Sequence, residues 1–232
     1  MPEFVHLHLH SEYSLLDSTC RIRDIPKAAA AAGQTAVALT DHGVLYGAVA
    51  FYRACLAEGI HPIIGCEIRI APPSRFDSPG QASDDGHLVL LVENEIGYRN
   101  LIALVSSSFT ESPTPHPHVD IERLRRHSEG LIALSGCMSG EIPQKLLHGN
   151  WDGAQEAALR YADLFGPEHF YLELQDHGTL EQKRICTALL SLSEKTGIPV
   201  VATNNVHYLR REDAPTQAAL LCIQTGQTLQ DG

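Results

Sequence analysis

Phe4-Val5-His6-Leu7-His8-Leu9-His10-Ser11-Glu12-Tyr13-Ser14-Leu15-Leu16-Asp17 is the stretch on which the reading of this chain turns. It begins as an apolar β-run and carries His8 and His10 to its end. Alternate residues of a strand face the same way, so His8 and His10 share a face, with His6 further back on it. Asp17 follows a short loop later. Neutral imidazoles joined by a carboxylate suit zinc, manganese or iron. The plain alternative is a polar strand end with solvated histidines. An isolated His-x-His pair arises often by chance, so the rest of the chain has to decide.

The bulk numbers narrow the field. The chain has 232 residues, of which 44% are hydrophobic and 19% charged. That is enough for one large α/β domain or two small ones, and it argues against disorder. The net charge of −11 excludes nucleic-acid binding by bulk electrostatics. Contact with nucleic acid would need bound cations or another part of a larger protein. Thirteen histidines are an unusual load and invite a search for ligands. Cys20, Cys55, Cys66, Cys137, Cys186 and Cys222 form no C-x-x-C pair, and no signal peptide is visible. They read as reduced, mostly buried thiols of a cytoplasmic protein. No apolar run approaches the ~20 residues that span a bilayer.

Beyond the first run, helical and β patterns alternate. Ile22 to Ala32 reads as a helix stopped by Gly33. A buried strand from Thr35 ends in Asp41-His42-Gly43. A helix over Tyr46 to Glu58 and a strand over His61 to Ile70 follow, with Glu67 late in the strand. Residues 71–86 read as an exposed loop. A strand opens at His87, and helices cover Ile96 to Phe109 and Ile121 to His127. The fifth run starts at Gly130 and delivers Cys137. Helices over Ile142–Leu147 and Trp151–Phe165 lead to a strand at Phe170. A helix over Thr179–Thr196, a strand from Ile198 to His207 and a helix over Glu212–Cys222 follow, the last running into Thr225–Gly232.

Seven β-runs separated by helices imply a parallel sheet, and their short connections favour a closed or nearly closed barrel. In such barrels chemistry gathers at the C-terminal strand ends. His8 and His10, His42, Glu67, Cys137, and Asn205 with His207 all fall at or near such ends. His87 opens its strand and breaks the rule.

Each candidate has a plainer reading. Asp41 could cap a helix with His42 incidental. Glu67 sits in an apolar run, where a carboxylate costs several kcal/mol unless paired or coordinated; an ion pair with Arg69 is the rival. Cys137, in Ser-Gly-Cys-Met-Ser-Gly, could be an ordinary buried thiol. A nucleophilic role for it is the weaker option, since no histidine stands at a diagnostic spacing. His116 and His118 lie in a proline loop and read as solvated. His61, His127, His148, His169 and His177 have no evident partners. The chain has no Walker loop, no G-x-G-x-x-G after a strand and no G-x-S-x-G.

Together these motifs resemble the PHP (polymerase and histidinol phosphatase) domain family. They include Ala-Leu-Thr-Asp-His-Gly-Val-Leu-Tyr-Gly, Pro-Ile-Ile-Gly-Cys-Glu, Gly-Leu-Ile-Ala-Leu-Ser-Gly-Cys and Val-Val-Ala-Thr-Asn-Asn-Val-His-Tyr. More narrowly, they look like the N-terminal domains of bacterial DNA polymerase III alpha subunits. The resemblance runs over essentially all 232 residues. It implies a single PHP domain, excised from a longer polymerase chain and folded as a distorted seven-stranded βα barrel. A cleft at the C-terminal strand ends would hold two or three divalent ions: zinc, manganese or iron. The implied ligands are His8, His10, Asp17, His42, Glu67, His87, Cys137, Asn205 and His207, with His8, His10, Glu67 and His207 expected to carry catalysis. His87 enters on the resemblance alone. The family pattern usually has Asp where this chain has Asn205, which weakens one metal site.

The implied activity is metal-dependent phosphoester hydrolysis, in the polymerase setting a 3′→5′ exonuclease acting on a primer end. The implied partners are the rest of the alpha subunit, primer-template DNA and other replisome subunits. Two alternatives stand: a non-catalytic structural and docking module, and a histidinol-phosphate-type phosphatase.

Overall fold

A computed structural model describes residues 4–71, 86–111 and 117–230. It divides into two compact units, Met1–Cys66 with Asn204–Gly232, and Glu67–Thr203.

In the first unit the alanine-rich segment forms α1 (Ile25–Ala31), with Pro26 in its first turn where the missing N–H has no cost. The apolar run Ala36–Leu39 is β1, and α2 covers Ala48–Ala57. The next strand, β2 (His61–Ile70), begins in this unit and pairs parallel to β1 from Ala36↔His61 to Leu39↔Ile64. A short 3₁₀ turn, Arg211–Asp213, leads into α8 (Ala214–Thr225). Apolar residues from the opening stretch, α1, β1 and α2 close one core, with Leu9, Ile25, Val37, Leu39, Phe51 and Cys55 buried in it.

The opening stretch was expected to be a full strand, and it is not one. It is two isolated parallel bridges, His6↔Val37 and Leu9↔Val206. Its backbone changes partner midway. The His6 carbonyl accepts from Ala38 N and the Leu9 carbonyl from Thr40 N, both at 2.8 Å, while His10 N donates to the Val206 carbonyl at 2.9 Å. The Thr40 hydroxyl occupies the ladder position opposite Leu9 N, at 2.9 Å. A side chain inserted there interrupts regular pairing, so six strands stand among the described residues where seven were expected.

In the second unit β2 is followed by β3 (Gly86–Val92), α3 (Glu95–Thr110), α4 (Ile121–Arg126) and β4 (Leu131–Leu134). Then come α5 (Glu141–Leu147), α6 (Trp151–Phe165), β5 (Phe170–Leu174), α7 (Leu180–Thr196) and β6 (Val200–Ala202). Asn94, Asp120, Asn150 and Thr179 cap helices by accepting from backbone N–H groups three residues on. The strands hydrogen-bond in chain order from β1 to β6.

The sheet is not all parallel as the alternation suggested. β3 and β4 are antiparallel, with Val92 opposite Leu131 and Val89 opposite Leu134. The connection through α3 and α4 therefore brings the chain back to the end of the sheet at which it left β3. The return is tight: a Cβ on Gly97 would lie 1.8 Å from the Gly130 carbonyl oxygen, and Gly130 has φ +71°. Only glycine fits either place. The β4–β5 and β5–β6 pairs are parallel.

Candidate metal centres

In the first unit, His8 and His10 are both fully buried, with ring centroids 5.2 Å apart. The His10 ring stacks on His207 at 4.5 Å and 10°, and lies 4.7 Å from His42. Asp17 Oδ2 is 3.3 Å from His207 Nδ1 and 3.6 Å from His42 Nε2. One ligand atom each from His10, Asp17 and His42 falls within 4.8 Å of the others.

The loop that delivers Asp17 is a run of turns, in which Ser14 N donates to Ser11 O and Asp17 N to Ser14 O. It requires Leu16 at φ 61°, a left-handed conformation that costs a leucine roughly 1–2 kcal/mol. The Ser18 hydroxyl lies 2.7 Å from the His10 carbonyl and 2.9 Å from that of His207, tying two ligand backbones together. Asp41 is a bracket and not a helix cap: its carboxylate accepts from Ser11 N, Ser11 Oγ and Ser14 Oγ at 2.6–2.8 Å. His207 Nδ1 faces the Asp17 carbonyl at 2.9 Å. A carbonyl only accepts, so Nδ1 carries a proton, and Nε2 is the nitrogen left for a ligand role. Burial pushes the Asp17 carboxyl up, but the His207 hydrogen bond and the His207, His42 and His10 charges more than offset this and hold it below its ordinary value.

The Asn205 side-chain oxygen is buried and accepts no hydrogen bond. A buried carbonyl in that state costs about 1–3 kcal/mol, and a bound cation can satisfy such an oxygen. The surrounding donors, imidazole nitrogens and one carboxylate, match divalent transition metals. The first unit therefore fits the ion its sequence implied.

The second unit gathers Glu67, His87 and Cys137. Glu67 is 1% exposed, and its Oε1 lies 3.0 Å from His87 Nδ1. The histidine is its partner, where Arg69 had been the rival. Cys137 Sγ lies 3.8 Å from the same oxygen. Burial first, then the Glu67 and Glu173 charges, push this thiol up to about 12, against hydrogen bonds from Ser139 that lower it. A metal would have to displace that proton.

His87 obeys the strand-end rule once strand direction is known. Because β3 runs against β4, the start of β3 lies beside the end of β4; His87 bridges Gly140, just past Cys137.

Glu173 on β5 was missed in the sequence. It is 2% exposed, accepts from Gln175 Nε2 at 2.9 Å, and takes a short hydrogen bond from the Thr203 hydroxyl. Its signal was the one used for Glu67, a lone carboxylate inside an apolar strand. Of the remaining histidines, His116 lies outside the described residues. His127 meets Asn100, His169 meets Glu93 and His177 meets Gln182, all ordinary structural contacts.

Residues 6–177 match the PHP domain family, and the chain belongs to it. Asn205 and His207 lie beyond the matched residues. Among its relatives, the chain is 46% identical over 230 residues to the DNA polymerase III subunit alpha of Treponema pallidum, covering 98% of this chain and 20% of that one. It is 43% identical over 234 residues to the Thermus aquaticus subunit, covering 99% and 19%. The chain is thus homologous to DNA polymerase III alpha subunits and spans about a fifth of their length.

Solved structures of similar fold include an amidohydrolase from Chromobacterium violaceum, at TM-score 0.54 and 13% identity, covering 93% of this chain and 96% of that one. Another is a protein described as a metal-dependent phosphoesterase from Bifidobacterium adolescentis, at TM-score 0.55 and 16% identity, covering 89% and 88%. No helix among the described residues is long and apolar enough to cross a membrane.

Proposed function

We propose that this chain is the metal-dependent phosphoesterase domain of a cytoplasmic DNA polymerase III alpha subunit, removing nucleotides from a primer 3′ end. The observation that carries the reading is the meeting of His10, Asp17 and His42 ligand atoms within 4.8 Å. His8, His10, Asp17, His42, Asn205 and His207 would hold metal in the first unit, and Glu67, His87 and Cys137 in the second. Divalent ions there would neutralise phosphate oxygens and lower the pKa of a bound water.

The chain's own residues set the rest. His8 and His10 are fully buried, while the His42 and His207 side chains are 30% and 22% exposed. A phosphoester therefore approaches on the His42 and His207 side, with the deeper imidazoles serving as anchors. Asp17, ionised between them, keeps local charge balanced. Because the net charge is −11, a nucleic-acid strand would be held through bound cations and through the rest of the alpha subunit. That remainder, primer-template DNA and other replisome subunits are the partners this reading requires.

The test is release of nucleotides from a labelled 3′ end in Mn²⁺ or Zn²⁺, comparing wild type with His10→Ala. The expected loss is at least about 100-fold. Equal rates would sink the proposal. Asn205 favours a second reading: a neutral amide where the resembling family has a carboxylate leaves room for a structural module whose metals only hold the fold. Chelation that lowers the melting temperature, with no cleavage of any phosphodiester or phosphomonoester, would select it.

A further inference from the structure

The Ser14 hydroxyl sits between three groups. It is 2.7 Å from Asp41 Oδ1, 3.0 Å from the His42 backbone N and 3.2 Å from His10 Nδ1. A hydroxyl has one proton to give. Asp41 is 1% exposed, and its carboxyl oxygens already accept from Ser11 N and Ser11 Oγ. The short contact to its oxygen takes the Ser14 proton. The His42 backbone N–H can only donate. Both remaining contacts of the Ser14 oxygen are therefore acceptances, and His10 Nδ1 must bring its own hydrogen.

We propose that Asp41, acting through Ser14, fixes His10 as the tautomer that keeps its proton on Nδ1 and presents Nε2 as the lone-pair nitrogen to a divalent cation. Ser14 and Asp41 are positioning residues: neither touches the ion. A carboxylate commonly orients a ligating imidazole directly. Here a serine is interposed, and the same serine also holds the backbone of His42. One hydroxyl thus sets the ring state of one ligand and the chain position of another. The claim about the proton stands on the hydrogen bonds alone; only the claim about zinc rests on the proposed metal function.

Two measurements separate them. Two-bond ¹⁵N–¹H correlation spectra of the metal-free chain, recorded where imidazoles are neutral, should give His10 the pattern of an Nδ1-protonated ring. In Ser14→Ala that pattern should shift toward the Nε2-protonated form, and zinc affinity, read by competition with a chromogenic chelator, should fall about 10–100-fold. Ser14→Thr restores the hydroxyl and should recover both. An Nε2-protonated His10 in wild type overturns the inference. So does a folded Ser14→Ala chain with unchanged tautomer and zinc affinity. If Ser14→Ala does not fold, the wild-type spectrum decides. A wild-type chain that binds no zinc refutes the metal reading, and the tautomer still decides this one.

Discussion

The two units hold their candidate ligands in opposite ways. In the second, Glu67 and His87 stand on strands and Cys137 lies three residues past the end of β4, so the β-ladder that builds the sheet also aims the ligands. In the first, Asp17, His42, Asn205 and His207 stand on loops, and the chain supplies a separate scaffold of short side chains. Ser11, Ser14, Ser18 and Asp41 make hydrogen bonds that a regular ladder would make unnecessary. The donor chemistry differs too: nitrogen and oxygen only in the first, a thiol included in the second. Loop-borne ligands need their own polar framework, and that framework is where such a site can fail.

Thiols sharpen this contrast with the largest expected effect. In the first unit burial pushes Cys20 up to about 11 and Cys55 up to about 12, from an ordinary value of 9.0. Neither belongs to the ligand group. In the second, Cys137 rises to about 12 and does belong to it. A raised folded-state pKa means the fold favours the protonated thiol. The stability is fully present below pH 9 and is lost as pH rises toward 11–12. Each thiol then costs about 1.4 kcal/mol per pH unit above 9, or roughly 2 kcal/mol at pH 10.5. Urea midpoints of the metal-free chain should drop accordingly between pH 8 and 10.5. Saturating zinc should remove the Cys137 share, since a coordinated thiol is already ionised, and leave the Cys20 and Cys55 shares. A midpoint unchanged to pH 10.5 would contradict the burial of all three.

A direct break of the comparison is Cys137→Ser. Thiolate selects zinc over harder ions, whereas imidazole and carboxylate do not discriminate as sharply. Zinc affinity of the second unit should fall about 100-fold while manganese affinity changes little. Competitive titration with each metal measures it. Equal losses for both metals would mean that the substitution disturbed the fold near Glu67 and His87, and that the thiol is no ligand.

How far the sequence could be read follows the same division. Strand alternation placed His8 and His10 on one face and exposed Glu67 as a carboxylate needing a partner, because period-2 patterning is local. His87 escaped that logic. Its position depends on β3 running antiparallel to β4, and that reversal is set by the return of the chain after α3, with Gly97 packed on Gly130. No single residue near His87 announces it; the resemblance to PHP domains supplied it instead. The Ser14–Asp41 bracket escaped as well, since it joins residues 27 positions apart through side-chain oxygens with no periodic signature. The first run was over-read as a strand because the Thr40 hydroxyl, which breaks its ladder, lies on another segment.

Asn205→Asp carries the smallest effect and asks the sharpest question of the first unit. The Asn205 oxygen is buried and accepts no hydrogen bond. Replacing the amide by a carboxylate puts a charge where only a neutral oxygen stood. Without metal that charge is costly, so the melting temperature of the chelated variant should fall below that of wild type. With metal the added anion is a better ligand, and affinity for zinc or manganese in the first unit should rise about 10-fold. The two shifts have opposite signs, which a general loss of stability cannot imitate. Calorimetric scans with and without metal read both at once. A variant that is destabilised equally in either condition would place Asn205 outside the ligand group and leave His8, His10, Asp17, His42 and His207 as its full extent.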